Sequence, residues 1–316
     1  MSISRVSTYQ VNKSFSTQLN NTQAKFNKLT QQISSGDRIT STMEDPVAAR
    51  GIIKANKELG FISEYKSNIE TADIELSQID KTLKSINDEL NKAYDLSMQI
   101  ANGTMGAEQL TAYKEQLDAI IDNVTRLANT QYNDQYIFSG TRTTTIPYSE
   151  SNDGIIFAGN SEKRYAITGE NKTQEINLIG EELFGSASFT KDADGNIVFD
   201  ESKSSGAFGA LYQLKAAIQD TENIDNTAVK AAMGGLDEGI NTVTAGQTKV
   251  GAVGATFDDI LTSYENDSNN LIKLRSNLQD TDLPSAISDW YSAYQSMQAS
   301  YSMMSQTMNV SLLNYI

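Results

Sequence analysis

Residues 62–100 read ISEYKSNIETADIELSQIDKTLKSINDELNKAYDLSMQI. Ile62, Tyr65, Ile69, Ala72, Leu76, Ile79, Leu83, Ile86, Leu90, Ala93, Ser97 and Ile100 follow one another in alternating steps of three and four. In an α-helix that spacing stacks all of them on one stripe, and only Ser97 is polar. At 1.5 Å per residue the stripe is roughly 57 Å long, beyond an ordinary domain helix. Upstream, Asp45 before Pro46 suits an N-cap ahead of a first-turn proline, and Asn102-Gly103 suits a stop. A second stripe, Leu110, Tyr113, Leu117, Ile120, Val124 and Leu127, follows a short connection, which predicts an antiparallel helical hairpin.

Beyond Tyr132 the period changes. Tyr136-Ile137-Phe138, Gly154 to Phe157, Arg164 to Ile167, Glu175 to Leu178 and Ile197 to Phe199 are short β-type runs separated by Gly, Asn, Asp and Ser. Helical spacing returns at Phe208, Leu211, Leu214 and Ile218, and again at Val229, Met233, Leu236, Ile240 and Val243. A further stripe runs Val250, Val253, Phe257, Ile260, Tyr264, Asp267, Leu271, Leu274 and Leu278, with Asp267 its one charged member. Such a polar layer either faces a partner or sets register.

The ends carry narrower stripes. Phe15, Leu19, Thr22, Phe26, Leu29 and Ile33 lie on heptad steps, and so do Ile287, Trp290, Tyr294, Met297, Tyr301, Met304 and Met308, with Leu312 beyond. A two-in-seven stripe is a seam rather than the broad face of a core helix, so these segments need a partner. The assembly surface is therefore expected at Phe15, Leu19, Phe26, Leu29, Ile33, Ile287, Trp290, Tyr294, Met297, Tyr301, Met304, Met308 and Leu312. The expected fold is mainly α with a small β insert, an elongated helical rod with coiled-coil ends and an outer β-rich domain. Its expected divisions are an N-terminal assembly segment at 1–45, a helical hairpin at 46–135, the β-rich domain at 136–205, return helices at 206–246, a long helix at 247–283 and a C-terminal assembly segment at 284–316.

Composition narrows the chemistry. The chain of 316 residues has no Cys and no His, and 25 Lys and Arg against 40 Asp and Glu give a net charge of −15. Without Cys there is no disulfide scaffold or thiol nucleophile; without His the usual neutral-pH base and commonest metal ligand are missing. The negative charge argues against nucleic-acid and polybasic membrane contacts. The N-terminus has no apolar segment of the kind a cleaved signal peptide needs. No cofactor motif occurs: Gly234-Gly235 and Gly251-Ala252-Val253-Gly254 lack the features of phosphate loops and suit close helix packing. The adjacent carboxylates Glu44-Asp45 and Glu181-Glu182 read as caps or solvated turns. A weak calcium loop is visible at Asp192, Asp194, Asn196 and Glu201, but Thr190 stands where its first Asp belongs. The plainer reading is a hairpin turn between Ser188-Phe189-Thr190 and Ile197-Val198-Phe199. No constellation points to an enzyme.

Several segments carry a family resemblance. They are Ser34-Ser35-Gly36-Asp37-Arg38-Ile39, Glu44-Asp45-Pro46-Val47-Ala48-Ala49, Ala101-Asn102-Gly103-Thr104, Leu127-Ala128-Asn129-Thr130, Tyr136-Ile137-Phe138-Ser139-Gly140 and the ending Met308-Asn309-Val310-Ser311-Leu312-Leu313. In this order and spacing the chain resembles the flagellin superfamily of bacterial axial proteins, and within it the hook–filament junction proteins. The departures are Glu44 in place of a first Asp and Ser2-Ile3-Ser4 in place of Arg-Ile-Ser at the start. The resemblance implies a non-enzymatic adaptor of the extracellular flagellum, exported through the type III channel without a cleaved signal. It implies as partners further copies of the chain, the first hook-associated protein, flagellin, the filament cap protein and an export chaperone. It also implies terminal helices that order only on assembly. Flagellin itself is the alternative in the same class, and a calcium-dependent surface adhesin is an alternative of a different class.

Overall fold

In the computed structural model, residues 8–103, 106–151, 154–191, 197–219 and 224–313 are described. The helices are α1 (Thr8–Ser35), α2 (Pro46–Asn102), α3 (Ala107–Ala128), α4 (Gly180–Phe184), α5 (Gly206–Ala217), α6 (Asn226–Gln279) and α7 (Leu283–Leu313). Between α3 and α5 lie β1 (Gln131–Tyr132), β2 (Gln135–Tyr136), β3 (Tyr148–Ser151), β4 (Gly154–Phe157), β5 (Tyr165–Gly169), β6 (Lys172–Glu175), β7 (Ser186–Lys191) and β8 (Ile197–Ser205). The chain divides into two units. Unit 1 lies within Met1–Phe61 and Glu265–Ile316, and unit 2 is Ile62–Tyr264. No helix among the described residues is long and apolar enough to cross a membrane.

Unit 2 holds the large core. On α2 every member of the stripe from Ile69 to Ile100 is buried. Ser97 is accommodated because its hydroxyl donates to the Tyr94 carbonyl at 2.7 Å, so no polar group is left unpaired. From α3, Leu110, Leu117, Ile120 and Val124 join the same cluster, as do Leu236, Val243, Val250 and Phe257 from α6. Tyr113 of α3 donates to Gln99 of α2 at 3.2 Å, which brings the start of one helix beside the end of the other.

The β segments form three antiparallel groups: β1-β2, β5-β6 and a four-stranded sheet ordered β3-β4-β7-β8. Asn133 and Asp134, both at positive φ, make the two-residue turn between β1 and β2. Two expected strands lie upstream of the runs that predicted them. β2 ends at Tyr136, and Ile137 and Phe138 are instead buried in the following turn. The run expected at Glu175 to Leu178 is instead β6 at Lys172–Glu175, and beyond it the Asn177 side chain takes over: its Oδ1 accepts from the Arg164 amide at 2.8 Å and its Nδ2 donates to the Glu162 carbonyl at 3.2 Å.

The boundary expected at 246/247 falls inside α6, which runs unbroken. Of its glycines, Gly235, Gly239 and Gly246 are packing positions, whereas Gly234 and Gly251 meet nothing within 4 Å and Gly254 only Asp73 at 3.9 Å, so the close packing expected of Gly234-Gly235 and Gly251 to Gly254 holds at Gly235 alone. A Cβ at Gly239 would sit 3.0 Å from the Ala207 Cβ, and one at Gly246 would sit 2.7 Å from Leu183 Cδ2. The stripe that continues past Tyr264 leaves Asp267 exposed.

Candidate assembly interface

Unit 1 is built on α1 and α7, which run antiparallel. Phe26 lies 5.2 Å from Trp290 and 6.1 Å from Tyr294, and the Trp290 and Tyr294 rings are nearly parallel at 5.7 Å. Trp290 Nε1 donates to Thr30 Oγ1 at 2.8 Å, while Tyr301 Oη reaches Gln23 Oε1 at 3.5 Å. On α1, Leu29 is buried and Phe15, Leu19, Phe26 and Ile33 are half-buried.

On α7 the seam is offset from the stripe of large residues. Ala286 and Ala293 are the buried positions, with Trp290, Met297 and Ser300 half-buried along the same line. Ile287, Tyr294, Tyr301 and Met304 remain 42%, 37%, 47% and 37% exposed. Alanines let two helix axes approach closely, so they are the buried positions, with Trp290 and Met297 of the larger stripe packed beside them. Met308 and Leu312 lie outside the described side chains. An open cavity of about 350 Å³ remains between the helices, lined by Thr30, Ile33, Ser34, Ile287, Trp290 and Tyr291. Among the described residues, unit 1 fully buries only Leu29, Ala48, Ala49, Ala55, Ala286 and Ala293.

The segment 34–49 ties this pair to the long helices. Gly36 at φ 78° turns the chain out of α1, a conformation that costs glycine least. The Arg38 amide donates to the Gln279 carbonyl at 2.6 Å and its guanidinium to the Leu278 carbonyl at 2.8 Å. Gln279 Nε2 donates to Asp37 Oδ1 at 2.9 Å, and the Thr281 amide to the Gly36 carbonyl at 2.8 Å. Asp45 Oδ1 accepts from the Ala48 amide at 3.0 Å, the N-cap contact expected before Pro46. That bond, helped by Arg38, holds the Asp45 carboxyl below its ordinary range. Glu44 pairs with Lys28 at 3.2 Å, and this hydrogen bond, with one from the Thr40 amide, likewise lowers its carboxyl. The end of α1, the start of α2 and the α6–α7 junction thus meet in one clasp.

The other motif segments serve unit 2. Asn129 brackets Tyr148, donating to its carbonyl at 2.8 Å and accepting from its amide at 2.9 Å. Phe138 packs edge-on against Phe184 at 5.1 Å. A Cβ on Gly140, at φ 71°, would fall 2.1 Å from the Asn160 carbonyl oxygen. Composition alone did not single out the Lys163–Glu175–Lys249 network. Glu175 accepts from Lys163 at 3.0 Å and from Lys249 at 2.7 Å, joining β6 to α6. Partial burial opposes its charge, but the two ammonium groups outweigh that and lower its pKa.

Of the calcium-loop residues, Asp192, Asp194 and Asn196 lie outside the described residues. Glu201 is exposed on β8, and the flanks are paired strands, with Thr190 opposite Val198 and Phe189 opposite Phe199. Glu181 and Glu182 are exposed in the first turn of α4. Among the described residues, no group of three or more acidic side chains is placed to hold a metal.

The family model of the bacterial flagellin N-terminal helical region matches residues 6–143, and that of the flagellin C-terminal helical region matches residues 233–316. Flagellar hook-associated protein 3 of Salmonella typhimurium is 25% identical over 317 residues, covering 98% of each chain. Flagellin of Bacillus subtilis is 25% identical, covering 87% of each chain. The crystal structure of flagellar hook associated protein-3 from Legionella pneumophila superposes with a TM-score of 0.59 at 14% identity, covering 71% of this chain and 99% of that one. The two family models bracket the chain from both ends and include α1, the clasp and α7, so this chain belongs to the flagellin family.

Proposed function

We propose that this chain is a structural, non-catalytic adaptor of the bacterial flagellum. It forms the junction layer between hook and filament by self-assembly through α1 and α7. The observation that carries this reading is the state of unit 1. Among the described residues of α7, only Ala286 and Ala293 are buried against α1, while Ile287, Tyr291, Tyr294 and Tyr301 remain 42%, 58%, 37% and 47% exposed beside that seam. Large apolar and aromatic side chains left this exposed along a helix pair are covered in a working protein, and neighbouring subunits are the covering surface that a family of axial proteins provides. Further copies of the chain, a hook-associated protein on the hook side and flagellin on the filament side are its partners. An export chaperone shields α7 before secretion. Likeness over nearly the whole length to hook-associated protein 3 supports the junction role over the filament role.

The test is electron microscopy of cells lacking the protein. Hooks without filaments, with flagellin shed into the medium, are expected. Normal filaments would overturn the reading, and long filaments grown from the purified chain alone would favour flagellin instead. In complementation, Trp290→Ala with Tyr294→Ala is expected to abolish incorporation while leaving the circular dichroism of unit 2 nearly unchanged.

A further inference from the structure

Charge is partitioned between the two units. Unit 1 has ten Lys and Arg against nine Asp and Glu, a net +1, whereas unit 2 has fifteen against thirty-one, a net −16. Within unit 1 the cations gather at the start of α2. Between Pro46 and Phe61 there are three, Arg50, Lys54 and Lys57, against the single acid Glu58. Val47, Arg50, Lys54, Lys57 and Phe61 follow steps of three and four, so they share one face of the helix. That face is open: Val47 is 72% and Phe61 44% exposed, and the Lys54 side chain is 78% exposed beside Glu58 at 3.8 Å. Ile53 flanks it, also exposed, and the Lys57 ammonium lies 5.5 Å from the centre of the Phe61 ring. An exposed stripe mixing three cations with three apolar side chains is unusual on a chain this acidic.

We infer that this stripe of α2 is an interaction surface for a second copy of the chain, and that it receives the acidic surface of that copy's unit 2. Charge complementarity favours this occupant. In a layer of identical copies, units carrying −16 repel one another, and the basic stripe is where a neighbour's negative surface gains rather than loses energy. The apolar members supply contact area that the ion pairs by themselves would not. The inference rests on the self-assembly reading above but names a surface distinct from α1 and α7.

The test follows assembly of the full-length chain, seeded with isolated hook ends and read by sedimentation, for the wild type and for Arg50→Glu/Lys54→Glu/Lys57→Glu. These side chains are exposed, so circular dichroism of the variant should match the wild type. At low salt the variant should need about tenfold more protein for half-assembly, from three weak ion pairs lost together. In about 1 M salt, where screening acts within about 3 Å, that gap should close. Arg50→Gln/Lys54→Gln/Lys57→Gln should fall between the two. Zero-length carbodiimide cross-linking of the assembled wild type should join Lys54 or Lys57 to unit 2 carboxylates of another copy. A variant that assembles at the wild-type concentration, or cross-links confined to unit 1, would overturn the inference while leaving the self-assembly reading intact. A wild-type chain that never assembles on hooks would overturn that reading, and this one with it.

Discussion

Arg38→Ala removes the side chain at the centre of the clasp. Its guanidinium donates at 2.8 Å to the carbonyl of Leu278, in the last turn of α6, where backbone carbonyls have no partner within the helix. The positive charge also sits at the negative end of the helix dipole. A hydrogen bond to a charged group contributes about 1.5–3 kcal/mol when shielded. Arg38 is 46% exposed, and screening by water reduces its share to about 1–1.4 kcal/mol. The nearby Asp45 carboxylate, 3.6 Å away and solvated, adds little. The reporter is the Thr281 amide, which donates to the Gly36 carbonyl across the clasp. Hydrogen exchange of that amide should accelerate about five- to tenfold in the variant. Arg38→Lys should give a smaller effect, since an ammonium keeps the charge but not the planar fork. Amides around Leu83, in the unit 2 core, should not change. Unaltered exchange at Thr281, or equal acceleration in both units, would refute the clasp as a local fastener.

Further outcomes are expected elsewhere. Leu83→Ala, at a fully buried position, should lower the urea stability of unit 2 by about 2–5 kcal/mol, while Lys84→Ala beside it should change stability by less than about 0.5 kcal/mol. Trp290 is the chain's one tryptophan, so Phe26→Ala should shift its fluorescence to the red; an unshifted spectrum would mean that the Phe26 contact does not persist in solution. The lowered pKa of Glu175 stabilises the fold above its ordinary value of 4.5, and this contribution disappears as pH falls through the lowered folded value. Glu175→Gln should therefore be less stable than the wild type at neutral pH, and acid titration of unfolding should bring the two curves together below about pH 4.5. In the dilute monomer, amides of 12–30 and 288–306 should exchange far faster than those of 69–100, because so few large side chains are buried around them; comparable protection would contradict the dependence on neighbours.

The long helices were readable because their signal is repetitive. Twelve positions from Ile62 to Ile100 agree on one period, and a wrong assignment would have to fail at all of them. The N-cap at Asp45, the stop near Asn102 and the stripe on α1 follow from equally local chemistry. The strands were partly readable. Runs such as Gly154 to Phe157 declare themselves, but β3 is too polar to do so, and β6 ends where the Asn177 side chain replaces the ladder. That substitution depends on Arg164 and Glu162, which the sequence places more than ten residues away.

At the candidate interface, sequence periodicity located the two terminal helices and most of their apolar residues. It could not decide which line of α7 meets α1. Hydrophobicity favours Ile287, Tyr294 and Tyr301, whereas close approach of two helices favours Ala286 and Ala293, and only three-dimensional packing weighs one against the other. The geometry of the clasp was likewise hidden, since Arg38 and Leu278 stand 240 residues apart. The sequence by itself therefore determined the helical class, the small β insert, the net charge and the absence of thiol and imidazole chemistry, because each depends on residue type and local spacing. The tertiary structure decided which apolar face of α7 is paired and which is open, how the motif at 34–49 fastens the ends, and where the basic stripe of α2 lies exposed, because each depends on distances between residues far apart in the chain.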